Sequence, residues 1–251
     1  MKQKSILIIG GEGYIGNVIS DIFIKKNYLV TSFDNLIYNQ KRNFRKNKNY
    51  KFIYGDIRKK KDLIKINKNY EAVIYLAGLV GDPITSKYKK LAGEINEKYT
   101  KKTINYFYNN KKIKRFIFVS TCSNYGISKT KYLKENNRLN PISRYAKSKV
   151  KIEKFILNLK KKDFTPTILR FATAFGLSKR MRYDLTINQF TRELFKKRMI
   201  EVYDFNTWRP YCHVKDFARL IHKVIKSKKS NIYYKIFNCG GNNNNFTKKK
   251  N

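Results

Sequence analysis

Ser5-Ile-Leu-Ile-Ile9-Gly10-Gly-Glu-Gly13-Tyr-Ile-Gly16 decides how the rest of the chain is read. Residues 5–9 form a short apolar run, the pattern of a parallel strand covered on both faces. Glycines then break the run, and over 14–26 the apolar residues recur at helical spacing. Strand, glycine turn and helix in that order open a βαβ unit. The alternation continues, with strands expected at 29–33, 52–54, 72–76, 116–119 and 167–169 and helices at 91–108 and 145–159. This pattern predicts an α/β fold built on a doubly wound parallel sheet.

From about Phe171 the pattern loosens. A helix over 185–197, a short strand over 201–203 and a helix over 214–226 suggest a smaller cap, and 232–237 reads as a strand returning to the main sheet. The stretch 242–251 is Asn and Lys apart from Phe246 and Thr247, and without apolar periodicity it is expected to be poorly ordered. The division that follows is 1–169 for the sheet domain, 170–231 for the cap, 232–241 for the returning strand and 242–251 for the tail.

The 251 residues include 57 Lys and Arg against 17 Asp and Glu, a formal net charge of +40. Hydrophobic residues make up 41% and aromatics 15%, which excludes a basic disordered tail and permits a sizeable core. No run of roughly 18 apolar residues occurs, so no membrane span is expected. The N-terminus lacks a signal-peptide pattern, because glycines cut its apolar run short. Cys122, Cys212 and Cys239 are too widely spaced for metal-ligand pairing, so no metal is expected and a reducing, cytoplasmic setting is. The charge invites a nucleic-acid partner, since basic clusters release counterions from phosphate backbones. Only 13 of the basic residues are Arg, however, and base reading favours the bidentate guanidinium. Lys, Asn, Ile, Tyr and Phe are all heavily used, and these are the residues of A/T-rich codons. Codon bias accounts for the lysines, and no nucleic-acid partner is expected.

The glycines stand at Gly-x-x-Gly-x-x-Gly spacing between a strand and a helix. The first allows the tight turn, the second lets backbone approach a pyrophosphate, and the third lets helix pack on strand. The helix N-terminus adds free N–H groups and a positive dipole end. Asp34 ends the second strand, 24 residues after Gly10, where a carboxylate accepts from an adenosine ribose and repels a 2′-phosphate. That favours NAD over NADP. Tyr145 and Lys149, four residues apart, share one helical face. A neighbouring ammonium lowers a phenol pKa and suits the Tyr to general acid/base work. Ahead of them the fifth strand ends in Ser120-Thr-Cys-Ser-Asn-Tyr-Gly126, hydroxyls at the strand end where open α/β sheets bind ligands.

The order of these motifs resembles an extended short-chain dehydrogenase/reductase, in the NAD-dependent epimerase/dehydratase family of nucleotide-sugar enzymes, over about 4–241. The resemblance implies a Rossmann domain with a small sugar-nucleotide domain and NAD as cofactor. It implies Gly10, Gly13, Tyr14, Ile15 and Gly16 at the pyrophosphate, and Asp34 and Asn35 at the adenosine ribose. Asp56 and Ile57 would flank adenine, with Leu76, Ala77, Gly78 and Asn96 along the cofactor. Counting back five from Gly126, Thr121 matches the catalytic Ser/Thr, with Tyr145 as acid/base and Lys149 at the nicotinamide ribose. On the substrate side Thr173, Asp184 and Leu185 match sugar or nucleotide contacts, and Arg209 a cation for the diphosphate. For Arg170 a structural ion pair is preferred, and for His213 a packing role. The resemblance also implies a homodimer through a helix pair that includes 145–159.

Three departures refine this expectation. Cys122-Ser123 replaces the Asp-Glu that follows the catalytic Thr in the sugar 4,6-dehydratases, which argues against water elimination. Thr173 stands where several epimerases place Asn. The chain reads as short at its C-terminal end, where the family normally continues with more substrate-domain helix. The expected activity is an NAD-dependent 4-epimerase of nucleotide sugars working through a 4-keto intermediate. The alternative is a one-way 4-keto nucleotide-sugar reductase with the same Tyr, Lys and Thr. An RNA-binding protein on a retired dehydrogenase scaffold would explain the charge but not the intact Thr121, Tyr145, Lys149 and glycine turn.

Overall fold

The structure is a computed structural model that describes residues 3–38, 46–109, 113–128, 132–160, 163–202 and 204–248. In β1 (Ser5–Ile9) Ile6, Leu7, Ile8 and Ile9 are wholly buried, as an unbroken apolar strand requires. The glycine turn leads into α1 (Tyr14–Lys25), β2 (Leu29–Asp34) and β3 (Tyr50–Tyr54). Then come α2 (Lys60–Ile64), β4 (Ala72–Tyr75), α3 (Asp82–Lys87) and α4 (Lys89–Gly93). α4 runs through a π-helical stretch, Glu94–Tyr99, into α5 (Thr100–Asn109). β5 (Phe116–Thr121) is followed by α6 (Arg144–Leu157), whose first turn is capped by Ser143, its Oγ accepting from Ala146 N at 3.1 Å. β6 (Pro166–Phe171), β7 (Thr173–Phe175), α7 (Thr186–Lys197), β8 (Arg209–His213), α8 (Val214–Lys226), α9 (Lys229–Ile232), β9 (Lys235–Cys239) and β10 (Asn245–Phe246) complete the chain.

Seven parallel strands form the main sheet in the order β3-β2-β1-β4-β5-β6-β9. The order reverses between β1 and β4, and the crevice beyond the C-terminal ends of those two strands is where such a sheet takes ligands. On one face Val18, Ile19 and Phe23 of α1 pack with Phe217, Ile221, Val224 and Ile225 of α8. On the other, Ile104 and Phe107 of α5 and Ile152 and Ile156 of α6 cover Phe116 and Phe118. The doubly wound α/β fold expected from the sequence is the one observed.

Several local expectations change. The helix expected over 91–108 is one rod, but interrupted by the π-helical turn that swings Asn96 inward. Glu201 and Val202 are not in a strand, and Tyr203 lies outside the described residues. The cap strands are instead β7, β8 and β10, a three-stranded sheet in which Asn245 and Phe246 pair antiparallel with Pro210 and Arg209. Part of the stretch taken for an unpatterned tail is therefore ordered by backbone pairing, which needs no apolar periodicity. α8, assigned to the cap, buries its apolar stripe against α1, because three short cap strands offer too little surface for it. The strand expected from Ile232 begins at Lys235, after the single turn α9 and after Tyr234 at φ +51°.

Candidate active site

The glycine turn lies at the mouth of the β1–β4 crevice. Gly10 has φ +85°, and a Cβ there would stand 2.7 Å from Ala77 N, so only glycine lets β1 and the end of β4 approach this closely. At Gly13 a Cβ would meet only Gly10 O, at 3.3 Å, so the space beside it belongs to the cleft. Helix geometry leaves the N–H groups of Tyr14, Ile15 and Gly16 without intrahelical acceptors, and no side chain caps this end of α1. Gly10, Gly13, Tyr14, Ile15 and Gly16 all line the cleft. An uncapped, acid-free helix end beside an open glycine fits a dinucleotide pyrophosphate.

Asp34, Asn35, Asp56 and Ile57 line the same cleft from the ends of β2 and β3. Asp34 accepts from Glu12 N at 3.0 Å and from Leu36 N at 2.8 Å. Burial raises its pKa, opposed by those two backbone bonds. Asn35 Nδ2 donates to Asp56 Oδ2 at 3.1 Å, and Arg58 grips Asp56 from the other side, Nη2 to Oδ2 at 2.7 Å. Glu12, in the turn, is wholly buried and accepts from Ser32 Oγ at 2.8 Å and from Tyr50 OH. Leu76, Ala77 and Gly78 form the cleft wall after β4. Asn96 stands behind that wall rather than in it. Its amide accepts from Leu79 N at 2.8 Å and donates to Leu79 O at 2.9 Å, so it braces the segment that lines the cleft.

Thr121, Tyr145 and Lys149 converge on the cleft from β5 and α6. Thr121 Oγ1 accepts from Ser123 N at 3.1 Å, capping the turn after β5. Lys149 Nζ donates to Val119 O at 2.8 Å and lies 5.7 Å from the Tyr145 ring centroid. Burial raises the Tyr145 pKa well above the usual phenol range, and Arg182 opposes the rise. Burial lowers Lys149 to about 8, with Glu153 opposing. The cation that opposes burial at the phenol is thus Arg182 from the cap, not the Lys149 expected in that role.

That cation was not singled out in the sequence. Arg180 and Arg182 both line the cleft, with Tyr38, Gly81, Asp82 and Ser123. Arg180 stacks over Tyr38 at 4.7 Å, and Arg182 is paired with Asp184, Nε to Oδ1 at 2.8 Å. No sequence spacing marks these arginines, because a loop carries them back over the cleft. Thr173 and Leu185 line the cleft, whereas Asp184 reaches it only through Arg182, its side chain being 64% exposed. Arg209 is exposed at the start of β8, outside the lining but with its charge felt at Cys122. Arg170 forms the structural pair expected of it, with Nη2 2.7 Å from Glu153 Oε2 and both side chains buried. His213 caps α8 by accepting from Lys215 N, and its ring meets Phe175 edge-on. Among the described residues no cluster of ligands for a metal and no helix long and apolar enough to cross a membrane is present.

The chain belongs to the NAD dependent epimerase/dehydratase family, which it matches over residues 6–240. A relative from Methanocaldococcus jannaschii that carries a UDP-glucose 4-epimerase name is 31% identical over 221 residues, 85% of this chain and 71% of its own. A UDP-N-acetylglucosamine 4-epimerase from Methanobrevibacter ruminantium M1, solved with UDP-N-acetylmuramic acid, is 27% identical with a TM-score of 0.84, covering 96% of this chain and 77% of that one. A UDP-glucose 4-epimerase from Thermotoga maritima, at 23% identity and a TM-score of 0.86, shares the fold over 97% of this chain and 78% of its own.

Proposed function

We propose that the protein is an NAD-dependent nucleotide-sugar epimerase of the 4-epimerase type, acting through a 4-keto sugar. The observation that carries this reading is the convergence of Thr121, Tyr145 and Lys149 on the cleft that also holds the uncapped end of α1 and Asp34. NAD, when bound, supplies a reversible hydride acceptor. The residues to hold it are Gly10, Gly13, Tyr14, Ile15 and Gly16 at the pyrophosphate and Asp34 and Asn35 at the ribose. Asp56 and Ile57 lie towards adenine, and Leu76, Ala77 and Gly78 along one wall, with Asn96 bracing that wall.

Tyr145 is the acid/base on the sugar hydroxyl. Burial keeps its phenol protonated, and Arg182 is the cation that opposes this and favours release of the proton. Thr121 donates to the same sugar oxygen, its own oxygen being oriented by Ser123 N. Thr173, Leu185 and the Arg182–Asp184 pair face the sugar-nucleotide side, and Arg209 meets the diphosphate from the rim. The protein acts as a cytoplasmic homodimer in this reading, and size-exclusion chromatography with light scattering tests the dimer.

The epimerase names of the relatives favour this over the one-way reductase. Incubation with UDP-glucose and other nucleotide sugars, followed by chromatography of the products and cofactor absorbance, tests it. Exchange between 4-epimers without net formation or loss of NADH is expected. Net NADH consumption with a keto sugar, or no exchange with any nucleotide sugar, overturns it.

A further inference from the structure

We propose that Asn188 is a positioning residue that locks the cofactor turn to the cap loop, so that the hold on NAD and the setting of the substrate side depend on one polar node. The inference rests on the epimerase reading.

Asn188 sits in the first turn of α7 and is buried at 7% exposure. Its amide is spent on two segments, the start of α1 and the loop ahead of α7. Nδ2 donates to Tyr14 OH and to Arg182 O, both at 3.0 Å, and Oδ1 accepts from Gly176 N at 3.0 Å. Tyr14 OH in turn donates to Gly176 O at 2.6 Å, and Ser178 Oγ donates to the Tyr14 carbonyl at 2.7 Å. Tyr14 is the first residue of α1, whose open N–H groups face the cleft. Arg182 is the cap cation that acts on Tyr145. One amide, 174 residues from Tyr14 in sequence, therefore fixes both the turn for the pyrophosphate and the loop that carries the cation.

The loop is pinned from its far side as well. Gly176 has φ +113°, and a Cβ there would stand 2.4 Å from His213 Nε2. An apolar contact between turn and loop would tolerate sliding. A buried polar node whose partners are all satisfied specifies one arrangement, and removing Asn188 leaves Gly176 N and Arg182 O without that partner in a dry site. Geometry at the turn and geometry at the loop thus change together.

Tyr14→Phe and Asn188→Leu, singly and together, test this, with Thr167→Val as a control that loses a buried bond to Ile232 O. Each protein is loaded with NAD, and its rate of NAD loss is followed with and without saturating UDP-glucose, alongside thermal melting. NAD loss is expected to be about tenfold faster in either single variant and no faster than that in the double variant. UDP-glucose is expected to slow NAD loss in the wild type and not in the node variants, while Thr167→Val melts lower yet holds NAD as the wild type does. Node variants that melt lower but release NAD at the wild-type rate, or that keep the full effect of UDP-glucose, overturn the proposal and leave Asn188 as packing. Wild-type protein that holds no NAD overturns the epimerase reading as well, a different result from the first.

Discussion

Lys149 Nζ donates to the carbonyl of Val119 at 2.8 Å and lies 4.6 Å from the centroid of the Phe118 ring. The ammonium is thus held against the sheet, in surroundings that disfavour its charge and lower its pKa to about 8. A side chain kept charged at that cost works against stability, as a site lysine would.

Lys149→Met is therefore expected to stabilise the protein while disabling it. In the unfolded chain a lysine keeps its proton to roughly pH 10.4. In the folded protein Lys149 loses its proton from about pH 8. Between these values the unfolded state binds more protons, so wild-type stability gains a rising slope with pH, which the variant lacks. At pH 7 the variant should be more stable by about 1–2 kcal/mol, after the lost bond to Val119 is counted. Turnover should fall by about 100-fold or more. Urea unfolding at pH 7 and pH 9.5 checks the stability claim, and equal slopes for the two proteins would refute it.

Arg182→Met should move the acid/base step of Tyr145 to higher pH. Burial raises that phenol most, and Asp82, Cys122 and Tyr38 add to the rise, while Arg182 is the cation that opposes it. Without Arg182 the phenolate is harder to form, so the rising limb of the kcat–pH profile shifts alkaline and kcat at pH 7 drops by roughly tenfold. Tyr38→Phe, which leaves the cation in place, should not shift the limb upward. A profile for Arg182→Met that falls in height without moving along the pH axis would assign Arg182 to substrate binding alone.

Gly10→Ala is expected to cost about 2 kcal/mol or more and to release NAD. The added methyl would meet the backbone at Ala77, 2.7 Å away, from a conformation that L side chains rarely adopt. Thermal melting with and without NAD measures both effects. Unchanged melting with full NAD retention would contradict the close approach of β1 and β4.

The sheet was legible because buried parallel strands are written as apolar runs, and 5–9, 72–76 and 116–119 need no partner to be recognised. The glycine turn and Thr121, Tyr145 and Lys149, which line one cleft, were legible because each is set by spacing within a turn, a strand end or a helix. What escaped was everything positioned by distant segments. Arg180 and Arg182 reach the cleft from a loop without periodicity, and Asn188 meets Tyr14 only through the fold. β7 and β8 are too short and polar to carry a pattern, and β10 exists through pairing with β8. Arg170 was read correctly as structural, but its partner Glu153 went unnoticed, although it follows Lys149 by one helical turn.

The Glu153–Arg170 pair should behave as a buried ion pair whose members are costly apart. Glu153 also accepts from Ser120 Oγ and, at 2.7 Å, from Asn124 Nδ2, so it ties α6 to the strand end that carries Thr121. Arg170, besides its bonds to Glu153, donates to Tyr125 OH at 2.7 Å and to Glu135 O at 3.0 Å. Glu153→Gln leaves the guanidinium buried without a counter-charge, at an expected cost of about 3–5 kcal/mol. It also removes the charge that supports Lys149, so the lysine pKa should fall further below its present value of about 8. Arg170→Met strands the carboxylate in the same way. In the double variant neither charge remains, while the amide introduced by Glu153→Gln would still offer Ser120 and Asn124 an acceptor. Its loss of stability should therefore be well below the sum of the single losses, by about 2 kcal/mol or more. Urea unfolding of the four proteins closes the cycle, and additive losses would show that the two side chains contribute independently rather than as a pair.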